Sequence, residues 1–321
     1  MGNVVLVTGG GGFIGKHLVR RLVETGVPVR VLARRELDLP GAVVFRCDLT
    51  SAIPPAALDG VSTVIHLAGV TKALRPAEYA AGNVTATRNL AAVCGPEIDF
   101  IHVSSLAAAG PSVDGRLLTE DDLPRPVSLY GQSKLAGEAA LRESPAGGHA
   151  IILRPAVVYG PGDRDVFQVF RGISRGVMAG IGTLDARFSY VYVQDLIGAI
   201  LAALENAPRV RGRTYFIANP EPVSWRTFAQ LAAEAMHRKV RCLALPPALA
   251  YAAGLMSEMA GRLRGKPAIL SRDKVREGVH PYWVCDVARA ASELGFIAPT
   301  ELPEGIAKTL DWYRSSGWLS W

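Results

Sequence analysis

The run Val4-Val5-Leu6-Val7-Thr8-Gly9-Gly10-Gly11-Gly12-Phe13-Ile14-Gly15 constrains this chain more than any other stretch. A short apolar run closed by glycines predicts a buried parallel strand, and Lys16 to Val23 repeat their apolar residues at helical spacing. Strand, glycine turn and helix together bring backbone N–H groups and the positive end of a helix dipole to one point, favouring an anion by roughly 0.3–1 kcal/mol. A pyrophosphate suits such a turn. Glycines also serve tight turns and close packing, so the reading depends on the rest of the chain.

Further apolar runs follow at intervals. Val29–Ala33 reads as a second strand with Arg34 and Arg35 directly beyond it, 43–49 as a third carrying Asp48, and 61–69 as a fourth closing on Leu67-Ala68-Gly69. A fifth, 99–105, ends in Ser104-Ser105, and a sixth spans 150–159. Helices are expected at about 77–94 and from Ser128 through Tyr130 and Lys134 to Glu143. The alternation predicts an α/β fold with a doubly wound parallel sheet and ligands at its carboxyl edge. Residues 110–127, rich in Pro, Asp and Gly, read as a loop bordering an active site. Residues 1–160 are expected to form a dinucleotide-binding core. Residues 161–321 are expected to divide between a return to that sheet and a substrate-binding cap, with strands at 188–193, 215–218 and 240–245. The apolar stretch 248–256 is too short to span a bilayer and reads as a buried or pocket-facing helix, with an interfacial helix as the alternative. Trp312, Tyr313, Trp318 and Trp321 are expected to pack a final helix and tail.

A length of 321 residues supports one large α/β domain with a smaller appendage. The formal charge of +6 comes partly from Arg262, Arg264, Lys266, Arg272, Lys274 and Arg276, read as solvated helix ends because no aromatic interleaving of a nucleic-acid site accompanies them. Cys47, Cys94, Cys242 and Cys285 form no C-x-x-C pair and the six histidines no H-x-x-x-H, so reduced thiols are expected and no metal site. The first strand begins without a charged and apolar leader before it, which predicts a cytoplasmic protein.

Tyr130 and Lys134, four residues apart, share one helix face and follow the strand ending in Ser104-Ser105 by one loop. A phenol of pKa near 10 is a poor base at neutral pH, but a nearby ammonium favours the phenolate. Thr8-Gly9-x-x-Gly12-x-x-Gly15, Asp48-Leu49, Leu67-Ala68-Gly69, Ser104-Ser105, Tyr130-x-x-x-Lys134 and Arg154-Pro155-x-x-Val158-Tyr159-Gly160-Pro161-Gly162 occur in that order. Together they resemble the extended short-chain dehydrogenase/reductases of the NAD(P)-dependent epimerase/dehydratase superfamily, over nearly the whole chain.

The resemblance implies a Rossmann-type fold, a nicotinamide dinucleotide, and catalysis by Ser105, Tyr130 and Lys134, with Ser104 as the other candidate serine. It implies cofactor contacts at Gly9, Gly12, Phe13, Ile14, Asp48, Leu49, Ala68 and Pro155; Leu67, Gly69, Val103 and Val158 stand beside them, and Tyr130 and Lys134 complete the set. Tyr130 would exchange a proton with the substrate oxygen, Ser105 would hold that oxygen, and Lys134 would also bind the nicotinamide ribose. Members often dimerise through the two long helices, here 77–94 and 128–143, which gives an expected homodimer.

NAD is usually held at the end of the second strand by a carboxylate, whereas a 2′-phosphate requires donors and positive charge. Arg34 therefore favours NADP(H). NAD(H) stays possible, because Glu36 and Asp38 follow and both arginines could be solvated loop charges. Nucleotide-sugar epimerases commonly carry Asn within R-x-x-N-V-Y-G-P, where this chain has Arg154-Pro155-Ala156-Val157-Val158-Tyr159, and Arg187 is displaced by one residue. Both departures look more like the 3β-hydroxysteroid dehydrogenase and dihydroflavonol reductase branches. The leading expectation is an oxidoreductase acting on a secondary alcohol or ketone of an apolar small-molecule substrate, bound by Ala107, Ala108, Val157, Phe188 and Tyr190. A nucleotide-sugar epimerase or dehydratase is the alternative. A dinucleotide-sensing regulator ranks third, since such proteins often lose the Tyr or Lys that this chain keeps.

Overall fold

Six apolar runs become parallel strands in the computed structural model, which describes residues 4–268 and 270–321. These are β1 (Val4–Thr8), β2 (Val29–Ala33), β3 (Ala42–Arg46), β4 (Val61–His66), β5 (Asp99–Val103) and β6 (Ala150–Pro155). The second half adds β7 (Val157–Tyr159), β8 (Val177–Ile181), β9 (Arg187–Phe188) and β10 (Tyr190–Tyr192). It ends with β11 (Thr214–Ile217), β12 (Val223–Ser224), β13 (Arg241–Leu245) and β14 (Tyr282–Trp283).

Seven strands form one sheet in the order β11-β6-β5-β4-β1-β2-β3, with every neighbouring pair parallel. The strand order reverses at β1, opening a crevice at the carboxyl ends where such folds bind ligands. Alternate residues serve opposite faces of the sheet. Val5, Val7, Val31, Ile101 and Ile151 pack against Leu18 and Leu22 of the helix Phe13–Glu24 and against Leu196 and Ile200 of the helix Val193–Glu205. Leu6, Leu32, Val64, Phe100 and Ile152 meet Leu90 and Leu141 on the other side. Each fully buried side chain of this kind contributes about 1.5–3 kcal/mol.

The expected sixth strand is two. Pro155 has no N–H to continue a ladder, Ala156 N–H donates to the Ile217 carbonyl at 3.0 Å, and β7 leaves the main sheet to pair with β10. The expected strand 188–193 likewise splits, β9 joining β12 and β14 while β10 joins β7, and Val193 begins a helix. The strand expected at 240–245 is β13, paired with β8 outside the main sheet.

Two other expectations are corrected. The loop 110–127 lies along the C-terminal segment, where Leu118 N–H donates to the Val284 carbonyl and Leu118 O accepts from Asp286, and none of its residues lines the main cavity. The apolar stretch 248–256 belongs to the helix Pro247–Leu263, whose only buried residues are Ala250 and Gly254. No helix among the described residues is long and apolar enough to cross a membrane. The final helix, Leu302–Ser315, packs through Tyr313, which stacks on Trp318 with Trp312 at its edge.

Candidate active site

Gly9 ends β1 at φ +73°, and a Cβ there would stand 2.7 Å from the Ala68 nitrogen, so only glycine permits β1 and β4 to close on each other. Gly12 N–H donates to the Gly9 carbonyl at 2.9 Å. Gly12 then starts the helix Phe13–Glu24 with no side-chain cap and no acidic residue in its first turn. The first-turn N–H groups are thus left for an anionic ligand, and this backbone cradle fits a dinucleotide pyrophosphate. Phe13 and Ile14 line the cavity beyond it, as do Leu67, Gly69, Val103, Pro155 and Val158.

Asp48 follows β3, and hydrogen bonds from Thr50 N–H (2.9 Å) and Oγ1 (2.8 Å), aided by the Arg34 charge, hold its carboxyl below the usual carboxylate range. The Leu49 side chain is buried in the core and its carbonyl accepts from Asn89 Nδ2 at 3.0 Å. Arg34 and Arg35 are exposed just past β2, and among the described residues neither forms an ion pair.

Tyr130 and Lys134 stand on the helix Leu129–Arg142. Its N-terminus is capped twice: Ser128 Oγ accepts from Gly131 N–H at 2.9 Å, and Asp273 accepts from Leu129 N–H at 2.8 Å and Tyr130 N–H at 3.3 Å. A Cβ at position 131 would lie 2.3 Å from the Ala107 carbonyl oxygen, so Gly131 lets this helix press against the segment after Ser105. Ser105 Oγ accepts from Ala107 N–H at 3.1 Å and neighbours the Tyr130 phenol. Ser104 turns the other way and donates to Glu138 Oε1 at 2.5 Å. Glu138 is wholly buried and gripped by Arg154 through bonds of 2.9 and 2.7 Å. Both serines line the cavity, but the Ser104 hydroxyl is committed to this ion pair, whereas the Ser105 hydroxyl neighbours the Tyr130 phenol.

Lys134 is buried and donates from Nζ to the Val103 carbonyl at 2.9 Å. Burial lowers its pKa to about 8, against the opposing Glu138 carboxylate. Burial also raises the Tyr130 phenol above its ordinary value, while the Ser105 hydroxyl and the Lys274 charge pull it down. Lys274 is thus a cation at the phenol that the sequence did not indicate, beside Lys134, which the sequence pointed to and which is held on the Val103 carbonyl. Lys274 Nζ lies 5.5 Å from the centre of the Tyr130 ring and 2.8 Å from Glu277 Oε2, and Glu277 Oε1 accepts from Ser128 Oγ at 2.7 Å. Lys274 is not a solvated helix end; it faces the cavity.

That cavity measures about 580 Å³. Ser105, Tyr130, Lys134, Lys274 and Glu277 line part of it, and Ala107, Val157, Ile181, Ala186, Phe188 and Trp225 give it apolar walls. Two expected substrate contacts fail. Tyr190 is 2% exposed and stacked on Phe228 with ring centres 4.9 Å apart, and Ala108 is fully buried; neither reaches the cavity. Trp225, Ile181, Lys274 and Glu277 were missed, because no local pattern ties them to a helix that lies far from each of them in sequence.

A phenol and a hydroxyl converging beside a nucleotide cradle suit transfer of hydride at a carbon with a proton at its oxygen. The fold and site define a nicotinamide-dependent oxidoreductase of the Rossmann type. Residues 5–218 match the NAD dependent epimerase/dehydratase family, and the chain belongs to it. It is 32% identical over 327 residues to a ceramide reductase of Caulobacter vibrioides, covering 98% of this chain and 96% of that protein. It is 30% identical to a 3 beta-hydroxysteroid dehydrogenase/Delta 5-->4-isomerase of Mycobacterium tuberculosis, covering 97% and 90% of the two chains. Among solved structures, MoeE5 in complex with UDP-glucuronic acid and NAD superposes with a TM-score of 0.75 at 31% identity, covering 98% of this chain and 100% of that one.

Proposed function

We propose that this protein interconverts a ketone and a secondary alcohol on a largely apolar, lipid-like molecule, using NADP(H) in preference to NAD(H). The observation that carries the reading is the cavity, which joins one reactive polar end to walls of Ala107, Val157, Ile181, Ala186, Phe188 and Trp225. The ceramide and hydroxysteroid named for two relatives are consistent with it.

The bound dinucleotide supplies hydride acceptance or donation at its nicotinamide ring. Gly9, Gly12, Phe13 and Ile14 would receive its pyrophosphate at the uncapped helix start. Leu67, Gly69, Val103, Pro155 and Val158 line the crevice where the rest of the dinucleotide would lie, Asp48, Leu49 and Ala68 would complete its contacts, and Lys134, fixed by Val103, would bind the ribose. Tyr130 gives its proton to the carbonyl oxygen in reduction and recovers it in oxidation; burial keeps the phenol protonated and ready to donate. Ser105 donates to the same oxygen and holds it in line. Arg34, exposed beyond β2, offers a donor fork to a 2′-phosphate.

The exposed faces of the helices Ala86–Ala92 and Leu129–Arg142 carry small residues such as Ala92, Ala136 and Ala139, which supports a homodimer packed through them. The free thiols at Cys47, Cys94, Cys242 and Cys285 are consistent with a reducing, cytoplasmic compartment.

The test is turnover of a panel of steroid ketones, long-chain ketones and UDP-sugars, following nicotinamide absorbance and product stereochemistry. Net oxidation of NADPH with an apolar ketone is the expected result. Epimerised UDP-sugar without net cofactor turnover would instead establish the sugar-epimerase reading, which the MoeE5 likeness favours.

A further inference from the structure

The helix Pro247–Leu263 presents an unpartnered apolar face. Leu249, Ala252, Met256, Met259 and Leu263 recur at spacings of three and four residues, so they form one stripe, and Leu255 stands beside it. Leu249, Met256, Met259 and Leu263 are 62%, 65%, 57% and 90% exposed. From Leu249 to Leu263 the stripe runs about 21 Å at 1.5 Å per residue. The preceding strand β13 continues it with exposed Leu243 and Leu245.

Within the helix and the turn after it, the cations lie at the C-terminal end. Arg262, Arg264 and Lys266 are exposed, and among the described residues none of the three forms an ion pair. Glu258, the only carboxylate on the helix, is occupied by Arg272 at 2.7 and 2.9 Å. An exposed apolar stripe ending in unpaired cations matches the boundary between acyl chains and anionic headgroups.

We propose that Pro247–Leu263 is a docking helix that lies in the surface of a bilayer containing anionic phospholipid, with its Leu and Met stripe in the acyl boundary and Arg262, Arg264 and Lys266 among the headgroups. A second copy of the chain would cover the stripe but leave the charge unmatched, since the exposed ions around the start of β13, Arg238, Lys239 and Arg241, are also basic. The face also adjoins the catalytic cavity: β13 pairs with β8, and Ala179, Gly180 and Ile181 of β8 line that cavity. Transfer of substrate from bilayer to cavity rests on the apolar-substrate reading above, whereas docking itself does not.

Co-sedimentation of the full chain with vesicles tests docking without substrate or cofactor, so its failure is distinct from a failure of turnover. Phosphatidylcholine vesicles containing phosphatidylglycerol should bind the protein at least tenfold better than phosphatidylcholine alone, and added salt should weaken binding. The triple variant Met256→Ser, Met259→Ser, Leu263→Ser should lose more than tenfold. The triple variant Arg262→Ser, Arg264→Ser, Lys266→Ser should fall to the phosphatidylcholine level, at roughly fivefold per residue. These side chains are exposed, and unchanged melting temperatures would verify that both variants fold. Absence of vesicle binding, or wild-type binding by either variant, overturns the proposal. So does a concentration-dependent dimer that the Met256/Met259/Leu263 variant abolishes, which would assign the face to a second copy.

Discussion

Replacing Lys274 by Met removes the cation 5.5 Å from the Tyr130 ring while keeping most of the side chain's length. At an effective dielectric constant of about 20, a unit charge at that distance is worth about 3 kcal/mol. The Lys274 side chain is 37% exposed and faces Glu277 at 2.8 Å. Screening and this partner reduce the effect on the phenol to about 1.4 kcal/mol, or one pKa unit. Loss of the cation disfavours phenolate, and the Glu277 carboxylate left behind acts in the same direction, so the Tyr130 pKa rises. The limb of kcat/KM for alcohol oxidation should therefore move about one unit to higher pH, with roughly a threefold to tenfold loss at neutral pH, because the stronger base offsets part of its lower abundance. Lys274→Arg should restore the wild-type midpoint. The assay is kcat/KM against pH for wild type and both variants, with melting temperatures measured in parallel. A uniform loss in Lys274→Met with the midpoint unmoved would refute the electrostatic role and leave Lys274 as a packing residue.

Tyr130→Phe should lower turnover by roughly 10²–10⁴-fold while NADPH titration stays near wild type, since the change deletes a proton donor and little else. Lys134→Met should weaken turnover and dinucleotide affinity together; unchanged affinity would argue against its ribose contact. Arg34→Ala should shrink a wild-type preference for NADP(H) over NAD(H), and tighter wild-type binding of NAD(H) would reject that assignment. His66 and His102 are buried and stacked, ring centres 5.2 Å apart; burial first, and the Lys134 charge second, lower His66 to about 3 and His102 well below the ordinary histidine value. Their stability contribution is complete above about pH 6.5 and is lost as pH falls, by about 2 kcal/mol at pH 5 for His66 and in the same direction for His102. His102→Phe breaks no hydrogen bond, because neither ring nitrogen has a partner among the described residues, so it should lose less melting temperature between pH 7 and 5 than wild type; an equal loss would count against His102.

The main sheet was legible because strands buried on both faces are continuous apolar runs, and because the glycine turn carries its function in its backbone. The second half was less so: β9, β10, β12 and β14 are two or three residues long, too short for a period of two to register. Phe188 and Tyr190 have the same parity, but they belong to different sheets, so facing the cavity at 188 says nothing of 190. Ala107 and Ala108 lie on the helix Leu106–Ala109, where neighbours point about 100° apart and only Ala107 meets the cavity. Lys274 reaches Tyr130 because Asp273 caps the helix start across 144 residues, a relation that only tertiary packing reveals. Apolar content correctly indicated a helix at 248–256, but content alone does not distinguish a helix buried in the core from one left open on the surface.

The distribution of polar groups around the cavity bears directly on substrate class. Ser104 is committed to Glu138, Lys274 to Glu277, and Asp163 to the N–H groups of Asp165 and Val166 at 3.0 and 2.6 Å. Lys134 is held by the Val103 carbonyl, Asp165 pairs with Lys72, and Thr183 accepts from Asp185 N–H; Ser105 and Tyr130 are the neighbouring hydroxyl pair at the reacting end, with Thr71 the further hydroxyl in the lining. A sugar hydroxyl placed against Val157, Ile181, Phe188 or Trp225 would give up water and meet carbon, at a cost of roughly 1–3 kcal/mol each. A methylene in the same place gains about 0.8 kcal/mol, close to fourfold in binding. A few hydroxyls exchanged for methylenes thus change selectivity by several orders of magnitude, and the wall composition favours a substrate with its polar functionality concentrated at the reacting carbonyl and an apolar remainder.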